Sequence, residues 1–93
     1  SLHDALPIST ASLSAATSGL VLAANANRIR FIVYNPHATE KVILRYSASA
    51  ASPTLLDMIL YPGDTYTSDR KEYVGAIQGY CAAAITLSVS EHA

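Results

Sequence analysis

The sequence predicts an all-β fold: a single small antiparallel β-sandwich or partly open barrel of about six or seven short strands. Three observations predict it. Apolar and polar side chains alternate with a period of two in Arg28–Asn35, Lys41–Ser47 and Ala84–Ser90, the pattern of a strand with one buried face. Turn signals such as Ser18-Gly19, Asn35-Pro36 and Pro62-Gly63-Asp64 cut the chain into short pieces. Finally, the 93 residues are 51% hydrophobic and 14% charged, which suits one domain with one core and is too apolar for a disordered segment.

The elements follow in chain order. Ser1-Leu2-His3-Asp4-Ala5-Leu6-Pro7-Ile8 resembles the translation of a common short-read sequencing adapter. Residues 1–8 are therefore expected to be a non-native leader from a metagenomic assembly, with the β domain over 9–93, and His3 and Asp4 carry no functional argument. Ser9–Ser14 alternates weakly and is a poor strand candidate. Leu20-Val21-Leu22 is a short apolar strand that ends at the polar corner Asn25-Ala26-Asn27. In Arg28–Asn35, Ile29, Phe31 and Val33 point inward, and Arg28, Arg30 and Tyr34 outward. Lys41–Ser47 turns Val42, Leu44 and Tyr46 inward and Lys41, Ile43 and Arg45 outward. The short Pro36–Glu40 connection predicts that these two strands form a hairpin.

Ala48–Pro53 reads as a small-residue loop. Thr54–Tyr61 reads as a strand, since Pro53 and Pro62 leave it about eight residues. Pro62-Gly63 fits a type II turn with positive φ at Gly63. Thr65-Tyr66-Thr67 is β-prone, Asp69–Glu72 is a charged loop, Tyr73–Ile77 resumes a strand, and Ala84–Ser90 is the last one.

Charge and motifs exclude more than they assign. Net charge is −1, and the six Lys and Arg form no run, which argues against electrostatic capture of nucleic acid or of an anionic membrane. No stretch approaches the roughly 20 apolar residues of a helical span. Cys81, alone in a small-residue context, reads as a buried hydrophobe. His3, His37 and His92 have no partners at zinc-ligand spacing, and Asp57, Asp64 and Asp69 follow no calcium-loop spacing. Asp57, Asp64, Asp69 and Glu72 fall mostly in turns, there is no nucleophile elbow, and Gly63, Gly75 and Gly79 precede no helix. The expectation is a protein that is not an enzyme, with no catalytic residues, no metal and no cofactor.

The tyrosines carry more information. Apart from Phe31 the aromatics are Tyr34, Tyr46, Tyr61, Tyr66, Tyr73 and Tyr80. Tyrosine buries a large area while its hydroxyl stays wet, so it serves a sheet framework, a protein interface or a sugar platform. Tyr61, Tyr66, Tyr73 and Tyr80 are the candidate interface.

One resemblance adds to this reading. Asn25–Arg28, the strand and break Phe31–Pro36, the turn Pro62–Tyr66, the Tyr-x-Gly-x-Ile-x-Gly-aromatic run Tyr73–Tyr80 and the strand Ile85–Glu91 occur in an order that resembles small head- or tail-associated β-sandwich proteins of tailed bacteriophages. The resemblance implies a virion structural protein whose partners are itself or other virion proteins. The alternative is a ligand- or carbohydrate-binding β-sandwich of a phage or bacterial surface, or a secreted one, with a glycan as partner.

Overall fold

Eight strands form among the residues that the computed structural model describes, 8–68 and 72–93, and none of those residues is helical. They are β1 (Ile8–Leu13), β2 (Gly19–Leu22), β3 (Arg30–Tyr34), β4 (Val42–Arg45), β5 (Met58–Leu60), β6 (Thr65–Thr67), β7 (Ile77–Cys81) and β8 (Ile85–His92). One four-stranded antiparallel sheet has the order β1-β8-β3-β6 and the other β2-β7-β4-β5. In each of the pairs β1/β2, β3/β4, β5/β6 and β7/β8 the chain passes from one sheet to the other. This is the strand order of an eight-stranded jelly roll, and it bears out the expected small β-sandwich.

The alternation seen in the sequence places the core between the sheets. Phe31 and Val33 of β3, Val42 and Leu44 of β4, Ile77 and Cys81 of β7 and Leu87 and Val89 of β8 are almost wholly excluded from solvent. A Cβ at Gly79 would lie 2.6 Å from Val21 Cγ2 and 3.1 Å from Leu13 Cδ1. The missing side chain is what lets β7 pack beneath residues of β1 and β2. The turn after β5 is as expected: Gly63 has φ 82°, and Asp64 N–H donates to Tyr61 O at 2.9 Å.

Several local expectations are overturned. The weak segment Ser9–Ser14 is in fact most of β1, paired with β8 from Ile8↔Ser90 to Leu13↔Ile85. Its two buried residues, Ala11 and Leu13, suffice because β8 supplies a long, cleanly alternating partner. The expected leader, residues 1–8, lies outside the described residues up to Pro7, and the backbone of Ile8 opens β1.

Nor do β3 and β4 form a hairpin, since β3 pairs with β6 and β8 while β4 pairs with β5 and β7. The chain changes sheets at Asn35, which is buried and fully bonded. Its Nδ2 donates to Glu40 O and Leu60 O at 2.9 Å each, and its Oδ1 accepts from His37 N–H at 2.9 Å.

Ile43, expected outside, is 4% exposed. Ile59 and Tyr80 flank it across the outer face of its sheet. The segment after β4 also folds back over that face: Arg45 Nη1 donates to Ala50 O (2.8 Å), Ala51 N–H to Ser18 Oγ (2.9 Å), and Ser18 Oγ to Gln78 Oε1 (3.1 Å). The strand expected over Thr54–Tyr61 shrinks to Met58–Leu60, because Ser52 and Leu55 bridge around Pro53-Thr54. Tyr73–Ala76 precedes β7 instead of belonging to it. Of the charged loop Asp69–Glu72, only Glu72 lies within the described residues.

Candidate functional site

The sandwich end where β2 finishes and β3 begins is built around Arg28. Simple alternation points this side chain outward, yet it is wholly buried. Its Nε donates to Glu91 Oε1 at 2.7 Å, its Nη1 to Tyr73 O at 3.2 Å and Gly75 O at 3.0 Å, and its Nη2 to Ala23 O at 2.6 Å. The guanidinium carbon lies 5.7 Å from the centre of the Phe31 ring. A planar fork of donors suits such a task, because it satisfies several carbonyls at chain ends that lack ladder partners. Arg28 therefore serves as a tie between three segments, with no side left for a substrate.

An aromatic cluster stands beside it. Phe31 meets Tyr46 edge-on at 6.0 Å and Tyr66 at 5.9 Å, and Tyr46 stacks on Tyr73 at 4.7 Å with the planes 11° apart. Tyr46 donates its hydroxyl to Glu72 Oε2 at 2.7 Å, and the Tyr66 hydroxyl donates to the same carboxylate. Tyr73 donates to Ala76 O at 3.0 Å. Burial, helped by the hydrogen bonds to Glu72 and Tyr66, holds the Tyr46 hydroxyl well above the ordinary tyrosine value. It is a committed donor, the opposite of what a tyrosinate base requires.

The candidate interface residues thus divide. Tyr66 and Tyr73 come together in this cluster and pack against the core. Tyr80 lies on the outer face of the β2-β7-β4-β5 sheet, opposite Ile43. Tyr61, 56% exposed, sits at the opposite end of the sandwich from Arg28, at the turn into β6. The two parallel rings, Tyr46 and Tyr73, each cover one face of the other and pack against the core. Sequence reasoning missed the parts played by Arg28, Tyr46 and Glu72. The signal lay in Arg28 following the Asn25–Asn27 corner, where a strand has not yet begun and alternation has no force.

The two outer faces differ in chemistry. Facing out from β1-β8-β3-β6 are Thr10, Ser12, Thr86, Ser88, Ser90, Thr65 and Thr67, with Arg30, Ile32, Tyr34 and His92. The other face carries the cross-strand row Ile59, Ile43, Tyr80, with Leu20 half exposed beside Gln78. A shallow depression of about 330 Å³ lined by Ser12, Leu13, Ser14, Ala84, Ile85 and Thr86 holds no titratable side chain. Among the described residues no group of three or more His, Cys, Asp or Glu is placed to hold a metal ion. No protein-family model, curated protein or solved structure matches the chain.

Proposed function

We propose that this chain is a non-catalytic structural protein of a phage particle, a head, neck, tail or cement component that works by packing against other protein. The observation that carries the packing is the outer face of the β2-β7-β4-β5 sheet, where Leu20 is 51% exposed and the half-buried Ile59 and Tyr80 stand either side of Ile43, itself already covered. An outward sheet face normally reads as polar, as the Ser- and Thr-rich face of the opposite sheet does here, so an apolar row marks a contact surface. Tyrosine at its edge adds the residue type enriched in interfaces. The phage setting rests on the resemblance over residues 24–91 and on a strand order that recurs in viral capsid domains. Lectins share that order, so the fold alone does not decide.

The test is sedimentation equilibrium from micromolar to millimolar concentration, for the native sequence and for Tyr80→Lys. The native chain is expected to gain mass with concentration, and the variant to associate about tenfold more weakly or worse, since a charge would be desolvated in the contact. A chain that stays monomeric throughout and binds an oligosaccharide in a glycan array would overturn the proposal.

A further inference from the structure

Four strands form sheet edges among the described residues, and they meet solvent differently. Strands β5 and β6 have three residues each and are joined through Pro62. Strand β2 has four, and its register shifts between Leu20 and Leu22. Shortness, proline and bulges are the ordinary means by which an edge refuses another strand. Strand β1 has none of them. It runs six residues, Ile8–Leu13, in unbroken register with β8, and it carries no proline and no charge. From Ile8 to Asn27 the sequence contains no ionisable side chain at all, so β1 and the neighbouring β2 make an uncharged flank.

We propose that β1 is the strand through which two copies of the chain pair, antiparallel and edge to edge about a two-fold axis, joining their β1-β8-β3-β6 sheets into one continuous sheet. The inference rests on the reading of the chain as an associating protein and adds the partner and the strand. The partner is a second copy because β1 is compatible with itself. On its outer face Thr10 and Ser12 already stand opposite Ser88 and Thr86 of β8, and Ser12 Oγ lies 3.4 Å from Thr86 Oγ1. Pairing β1 with β1 repeats those hydroxyl-to-hydroxyl neighbours, a favourable cross-strand class, and brings no like charges together. A foreign strand selected by charge would find no partner here, since β1 carries none. Two-fold pairing also consumes the exposed backbone groups of both copies and closes this edge.

The test follows backbone amide exchange and sedimentation of the full chain together, at low and high concentration. The expected result is a dimer mass for Tyr80→Lys, which keeps only the β1 contact, with alternate amides of Ile8–Leu13 slowed about fivefold when the total chain concentration is about ten times the dissociation constant. Amides of the β2, β5 and β6 edges should be unaffected. The double variant Thr10→Lys, Ser12→Lys places charges at exposed positions, so its β8 and β3 amides should stay protected while its β1 amides lose all concentration dependence. Association that leaves β1 exchange independent of concentration would overturn this pairing and leave the packing proposal standing. A monomer at every concentration would overturn this pairing, and one that also binds an oligosaccharide would overturn both.

Discussion

The two ends of the sandwich solve one problem by different means. Each must satisfy backbone groups where strands stop and the chain changes sheets. At one end Arg28 does this with a charged fork, binding Glu91 and the carbonyls of Ala23, Tyr73 and Gly75, and two tyrosine hydroxyls converge on Glu72 beside it. At the other, Asn35 uses a neutral amide. It reaches Glu40, Leu60 and His37 while its backbone exchanges bonds with Gly63 and Asp64. Both ends join segments far apart in sequence, but the Arg28 end does so through a charged pair and the Asn35 end through a neutral amide. A buried tie held by a charged pair ought to fail harder on truncation than one held by a neutral amide.

The largest expected effect is at Arg28. Arg28→Met fills similar volume but strips the partner from Glu91 and leaves three carbonyls short, so a loss of about 3–5 kcal/mol is expected in urea unfolding. Arg28→Lys keeps the charge without the fork and should recover only a minor part, and full recovery would show that the ion pair matters more than the carbonyls. Asn35→Ala comes next, at about 2–3 kcal/mol for three lost hydrogen bonds at a buried site. A penalty as large as that of Arg28→Met would remove the distinction between the two ends. Gly63→Val tests the turn beside Asn35. A β-branched residue at φ 82° should cost about 1–2 kcal/mol, and a neutral result would mean that the turn relaxes to another type.

These residues also show what was legible in the sequence. Phe31, Val33, Leu87 and Val89 could be read directly, because strands buried on one face print their burial as alternation. Gly63 was equally clear, since proline followed by glycine leaves few turn geometries. Strand β1 was obscured because its pattern is weak by itself and acquires meaning only against β8, more than seventy residues away in the chain (Ile8 pairs with Ser90). The sheet change at Asn35 was hidden by the shortness of Pro36–Glu40, which suits a hairpin and a crossing alike. Arg28 and Ile43 broke the alternation rule for opposite reasons. Arg28 lies just before its strand begins, and Ile43 is buried on the outer face of its sheet between Ile59 and Tyr80. The candidate site was therefore legible as a list of tyrosines but not as a grouping, because grouping is set by which sheet and which face each strand joins.

The smallest expected effect, and the one that separates the ends most cleanly, is alkaline. The Tyr46 hydroxyl is held above the ordinary tyrosine value by burial first, then by its hydrogen bonds to Glu72 and Tyr66 and by the Glu72 charge. In the unfolded chain the same hydroxyl loses its proton near pH ~10. A group whose folded value is raised contributes stability that is fully present below the unfolded value and is lost as pH rises beyond it. The unfolded state, free to ionise, then gains relative to the folded state. Stability should accordingly decline above pH ~10 in the native sequence, and Tyr46→Phe should make that decline shallower, although its stability at neutral pH is lower for want of the Glu72 contact. Asn35→Ala should keep the native slope, because no tyrosine hydroxyl bonds to Asn35. The measurement is the urea midpoint of all three proteins from neutral pH to about pH 11.5, with tyrosinate absorbance recorded on the folded samples. Slopes that coincide for the native chain and Tyr46→Phe would show that the Tyr46–Glu72 contact opens before the hydroxyl ionises.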